Sequence, residues 1–380
     1  MDRERRRHAK REIVSLCHSG LTVDDLYHTT LQVFGTLVPY DRACWHTVDP
    51  ATMLFTTSAQ RNLGHEPRLP VYEYEIPDVN KWTYLSRQPW PVGVLGHATR
   101  GNPDQSPRYR DLLRPRGVAH EIRASLVSDH RCWGFVGLYR DRGRDDFTED
   151  DAALLAELDA HLAAGIRRAL LLGAASAQPP GSQAPGVLIL GSTGEISSMN
   201  AAAEELLAVL ADAGDATPPE APHAVLAVAC QARRMASGED ATPAWSRART
   251  VTGQWIALHG TRLGNGPDAA TAVIIEPARP LELADLIVLA YGLTPREREV
   301  TRLVIVGRST ADIAQVLHLS PFTVQDYLKS VFEKVGVRSR RELVATVFRE
   351  NYWPRILAGD RIGGDGFFPD DHAVARSGPA

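Results

Sequence analysis

Apolar positions recur at helical spacing in four short runs between Thr294 and Glu342. Val300, Leu303 and Val304 share one face of the first run, and Ile313, Val316 and Leu317 one face of the second. In the third, Val324, Leu328, Val331 and Val335 line one side, which turns Gln325, Asp326, Lys329 and Glu333 outward. A hydroxyl able to accept first-turn N–H groups precedes each run: Thr294 before Glu297, Ser309 before Asp312, Ser320 before Thr323, Ser339 before Glu342. Pro295 and Pro321 occupy first helical positions, and Gly307 and Gly336 stand where the first and third helices should end. The pattern predicts four helices, with a tight corner at His318-Leu319-Ser320 between the second and third. An exposed polar helix after such a corner is what helix-turn-helix reading of a major groove requires.

Upstream the period changes. Leu26, Val33, Phe34 and Leu37 share a helix face after a start at Thr22 to Asp25, and 42–48 and 53–58 then read as paired strands around Asp49-Pro50. A second pair, 120–128 and 133–140, brackets a turn at Asp129-His130. Thr148, with Asp151 as capping partner, opens a long helix carrying Leu154, Leu155, Leu158, Leu162 and Ile166. The breaker-rich stretch around Pro179-Pro180-Gly181-Ser182 reads as a linker. Beyond it, 186–190 and 195–199 form a hairpin by pattern, a helix starts at Asn200, and 248–251, 254–263 and 271–276 read as three further strands.

These residues carry family resemblances. Leu293-Thr294-Pro295-Arg296-Glu297-Arg298-Glu299-Val300, Asp312-Ile313-Ala314, Thr323 to Lys329 and Lys334 to Arg340 together resemble the LuxR-type (FixJ/NarL-like) DNA-binding domain. The family usually has lysine where this chain has Gln325 and histidine where it has Tyr327, which implies a different base sequence read. The resemblance implies base reading by Gln325, Asp326 and Lys329, phosphate contacts from Ser309, Thr310, Ser320, Thr323, Lys334, Arg338 and Arg340, and dimerisation through Leu343, Val347 and Phe348. Trp133 to Tyr139 followed by Phe147-Thr148-Glu149-Asp150-Asp151 resembles a GAF domain, which implies sensing without naming a ligand. The segment after the linker is similar to a PAS domain shortened in its middle.

The expected architecture is multidomain α+β. It comprises a basic tail (1–20), a GAF-like domain (21–173), a linker (174–186), a PAS-like domain (187–278), a linker helix (279–292), an all-α helix-turn-helix domain (293–352) and a disordered tail (353–380). Two antiparallel-sheet sensory domains thus precede the helices.

Charge sharpens this. From Thr294 to Pro354 ten Arg or Lys face seven Asp or Glu, a net +3 on a chain of −4, the footprint expected of phosphate contact. Aromatic residues crowd the first domain, and Trp45, Trp82, Trp90 and Tyr109 are candidates to line a ligand pocket. Cys17, Cys44, Cys132 and Cys230 lack metal or redox spacing, and His46, His97 and His120 are isolated, so no metal or cofactor is assigned. No apolar run reaches membrane-spanning length and the N-terminus is charged, so a cytoplasmic protein is expected. Nucleophile elbow, nucleotide loop, HExxH and kinase signatures are absent, which argues against an enzyme. Expected partners are double-stranded DNA, RNA polymerase, a small-molecule or protein signal and a second copy of the chain. The alternative is an interaction protein or sigma-like polymerase adaptor.

Overall fold

The computed structural model describes residues 3–174, 184–210, 221–278 and 291–344, leaving out positions 252, 265, 267 and 306. The chain divides into two compact units, Met1–Pro277 and Ala278–Ala380. The linker helix, the C-terminal tail, Val347 and Phe348 lie outside the described residues.

The first unit opens with helices α1 (Arg3–His18) and α2 (Val23–Leu37). Residues 1–20, expected as a solvated tail, therefore hold a packed helix. Ala9, Ile13 and Cys17 recur every fourth position among the charges, and that narrow stripe is buried against α2 and the long helix α6 (Glu149–Ala174). Strands β1 (Arg42–Val48), β2 (Phe55–Arg61), β3 (Val92–Val94), β4 (Val118–Ser128) and β5 (Arg131–Asp141) form an antiparallel sheet in the order β2-β1-β5-β4-β3. Asp129 and His130 both take positive φ, 51° and 59°, the twist that suits a two-residue hairpin between β4 and β5. Alternation then sorts the faces. Trp45 and Val136 point toward α2 and α6, while His46 and Phe135 point to the other side, which α3 (Leu69–Tyr74) and α4 (Trp82–Leu85) help to cover; the one-turn helix α5 (Leu95–Ala98) follows β3 directly.

The segment 184–278 repeats the plan. Strands β6 (Gly186–Leu190), β7 (Ile196–Met199), β8 (Trp245–Arg249), β9 (Trp255–Arg262) and β10 (Thr271–Pro277) pair in the order β7-β6-β10-β9-β8, the same order as the first sheet. Asn200 caps α7 (Ala201–Val209) by accepting the Ala203 N–H. Helix α8 (His223–Ser237) has no counterpart in the periodicity reading. Its first ten residues, His223 to Ala232, are all buried between its own sheet and the β2 and α3 region of the first module. From Ala224 to Cys230 every residue is apolar, so that stretch leaves no amphipathic period to read.

Several polar links cross that joint, among them His223 Nε2, 2.9 Å from the Glu66 carbonyl oxygen. The Asp49 carboxylate, at the β1–β2 turn, receives Arg247 Nε at 2.7 Å, Nη2 at 2.8 Å and the Arg247 N–H at 3.1 Å, with both side chains at most 1% exposed. Arg233 of α8 donates to Glu75 at 2.7 Å. Ser58 Oγ lies 2.7 Å from His46 Nδ1 and 3.0 Å from His223 Nδ1, so one hydroxyl ties an imidazole from each module. Burial, then the neighbouring His223, holds the His46 imidazole well below its ordinary pKa and hence neutral.

Candidate nucleic-acid interface

The second unit packs α9 (Pro295–Ile305), α10 (Thr310–Leu317) and α11 (Pro321–Val335) around Leu293, Val300, Val304, Ile313, Val324, Leu328, Val331 and Leu343. A further helix begins at position 340. Each expected cap is made. Thr294 Oγ1 accepts the Glu297 N–H at 3.3 Å, Ser309 and Asp312 form a reciprocal capping box, and Ser320 and Ser339 each accept an N–H three residues on at 3.1 Å. His318 turns the corner after α10 in the left-handed region, φ 53°, and the Leu319 N–H returns to the Ala314 carbonyl at 2.9 Å. Val316 departs from its expected face. In this eight-residue helix the buried stripe runs through Ile313 and Ala314, leaving Val316 54% exposed.

One ion pair locks the first helix to the third. Lys334 of α11 donates to both Glu297 oxygens at 2.7 and 2.9 Å, joined by the Ser330 hydroxyl at 2.6 Å and the Thr294 N–H at 2.6 Å. Burial opposes the carboxylate, but these donors outweigh it and hold Glu297 at a pKa of about 2. Gln325, Asp326, Lys329 and Glu333 stay exposed on the opposite side of α11. The result is a rigid helix, anchored from behind, presenting a polar face after a tight corner. That geometry suits insertion into a groove of duplex DNA.

The model of bacterial regulatory proteins of the luxR family matches residues 292–347, and the GAF domain model matches residues 22–166. The spore germination protein GerE of Bacillus subtilis is 37% identical over 57 residues, which cover 15% of this chain and 77% of GerE. This chain belongs to the luxR family. The transcriptional regulatory protein DesR of Bacillus subtilis is 39% identical over 74 residues, 20% of this chain and 37% of DesR. An HTH-type transcriptional regulator of Mycobacterium bovis is 31% identical over 207 residues, 53% of this chain, which spans only about 20% of that relative's length.

Within the luxR-family domain, the residues singled out for DNA meet different fates. Gln325, Asp326 and Lys329 come together on one face of α11, and Arg338 is exposed beside the following turn, with Arg340 half-buried. Ser309 and Ser320 are engaged in caps, with Ser320 Oγ 2.8 Å from Thr323 Oγ1. Thr310 is half-buried at the first position of α10. Lys334, offered to phosphate by the sequence, spends its ammonium on Glu297. Leu343, offered to a dimer interface, is fully buried in the domain's own core.

The GAF domain does not gather its four aromatic candidates. Trp45 borders a small apolar cleft with Phe34, Leu126, Val136, Leu155 and Leu162, whose free volume of about 10 Å³ barely reaches that of one water. Trp82 lies on the other face of the sheet, stacked on Phe135 and donating to the Val136 carbonyl at 3.0 Å. Trp90 is 51% exposed, and Tyr109 is buried in the helical turns before β4. What fills the Trp82 side is an ionic network that sequence reading missed. Arg108 donates to Asp78 at 3.0 Å and Glu121 at 2.5 Å, and Arg123 donates to Glu121 at 3.1 Å and Glu73 at 3.0 Å while stacked over Trp82 at 3.5 Å. These charges are scattered in sequence, so no local pattern announces them.

Among the described residues, no group of three or more His, Cys, Asp or Glu could hold a metal, and no helix is long and apolar enough to cross a membrane. All four cysteines are free and buried. Burial pushes the thiols up, to about 11 for Cys44 and about 12 for Cys132, which disfavours the reactive thiolate.

Proposed function

We propose that this luxR-family chain is a transcriptional regulator that reads double-stranded DNA through α11 under control of its sheet-bearing unit. The observation that carries the reading is the outward row Gln325, Asp326 and Lys329 on a helix whose opposite side is fixed in the core by Val324, Leu328 and Val331. Glutamine can pair bidentately with adenine, and lysine can donate to guanine or phosphate. Arg338 and Arg340, with the N-terminal turns at Thr310 and Thr323, supply phosphate contacts. The GAF domain receives a small-molecule or protein signal, and the PAS-like module, whose strand order matches the GAF sheet, relays it. A homodimer forms through the helix that starts at position 340, setting half-sites about 34 Å apart. RNA polymerase is the downstream partner, the protein works in the cytoplasm, and no catalysis is involved.

Binding selections on randomised duplexes test this. Gln325→Ala is expected to cost about 1–3 kcal/mol at one preferred base pair and relax selectivity there. Arg338→Ala and Arg340→Ala are expected to weaken all sequences alike and flatten the salt dependence. A selected motif untouched by Gln325→Ala but rewritten by Arg340→Ala would put base reading elsewhere. Absence of salt-dependent duplex binding would overturn the reading.

A further inference from the structure

Phe322, the second residue of α11, is 80% exposed, more than any other large apolar side chain among the described residues. It takes no part in the hydrophobic core of its unit, which α11 enters through Val324, Leu328 and Val331. Its position follows from helical spacing. Phe322, Gln325, Asp326 and Lys329 stand at i, i+3, i+4 and i+7, so the ring begins the same outward row that carries the polar candidates. An aromatic ring held in water there gains nothing from folding, and burying it on binding would recover that surface. On base edges in the major groove, the apolar group available to it is the thymine C5-methyl.

We infer that Phe322 is a specificity residue that packs its ring on a thymine methyl beside the base read by Gln325. The inference rests on the DNA-binding reading above and assigns part of its base sequence. Gln325 and Lys329 supply hydrogen bonds, whereas Phe322 supplies an apolar contact that cytosine and guanine cannot match. Contact with sugar edges instead would strengthen binding without selecting a base.

The full chain, Phe322→Ala and Gln325→Ala are compared in binding selections on randomised duplexes. Helical circular dichroism melts verify that Phe322→Ala folds, as its exposure leads one to expect. The wild type is expected to select a thymine that Phe322→Ala no longer selects. Replacing that dT by dU, which removes only the methyl, is expected to weaken wild-type binding about fourfold and leave Phe322→Ala unchanged. Uniform weakening by Phe322→Ala with an unchanged motif, or wild-type indifference to dU at every selected thymine, overturns the inference. A motif altered by Gln325→Ala but not by Phe322→Ala leaves the DNA reading standing and removes Phe322 from it. A wild type that binds no duplex removes both.

Discussion

In the helical unit, Thr294, Ser309, Ser320 and Ser339 each close a bond to an N–H three residues away. In the sheet-bearing unit, Asp49 meets Arg247 across 198 positions and Glu73 meets Arg123 across 50. The first kind of bond forms with a single turn of helix, and its loss frays one end. The second exists only once distant segments have met, and its loss strands a charge where water cannot reach. The two regions should therefore respond to damage on different scales.

The largest effect is expected at the joint between the two sheets. Asp49→Asn keeps the shape but takes the carboxylate from a buried guanidinium, and should cost about 3–5 kcal/mol. Denaturant unfolding followed by tryptophan fluorescence reads it, because Trp45, Trp82, Trp133, Trp245 and Trp255 all lie in this unit. Asp49→Leu combined with Arg247→Met should recover most of that loss, since a matched apolar pair needs no solvation. A wild-type midpoint for Asp49→Asn alone would show that the joint does not depend on this pair.

The helical unit also contains an ion pair of the long-range kind, Lys334 with Glu297 across 37 positions, and it sharpens the contrast. Glu297→Gln should destabilise that unit by about 2–3 kcal/mol. Glu297 is held at about 2, below its ordinary 4.5, so its contribution is complete above the unfolded value and is lost as pH falls from 4.5 toward 2. Helical circular dichroism melts should show wild type and Glu297→Gln converging across that window. A gap that stays constant down to pH 2 would mean the carboxylate is not what Lys334 and Ser330 recognise. The smallest effect belongs to a purely local bond. Ser309→Ala should cost about 1 kcal/mol and fray the start of α10 without moving the rest.

The same contrast explains what could be read from the chain. Caps, glycine stops and the 3.6 period are written within a few residues, so α9, α10 and α11 and the exposed Gln325, Asp326 and Lys329 were legible almost position by position. Except for β3, whose three residues are too few to show alternation, the strands of both sheets were legible to within about three residues, because alternation and turn residues are also local. Helix α8 was not, since Ala224 to Ala229 is apolar without a period, nor was α1, whose three buried positions are diluted by charge. Asp49 read as a turn residue, and nothing near it pointed to Arg247. Trp45 and Trp82 looked like neighbours in a pocket, yet strand alternation and an intervening loop place them on opposite faces of one sheet.

The strand order carries a mechanical consequence. In the second sheet the chain enters on β6 and leaves on β10, neighbouring antiparallel strands whose register pairs Gly186 with Ile275 at one end and Leu190 with Thr271 at the other. Both chain ends of this sheet therefore lie at the same end of one pair. Tension applied through them loads the ladder one rung at a time, starting at Gly186, instead of straining all the rungs in parallel. Under load the module would open like a zip from its middle, parting β6 from β10 while the hairpins β6–β7 and β9–β10 remained closed.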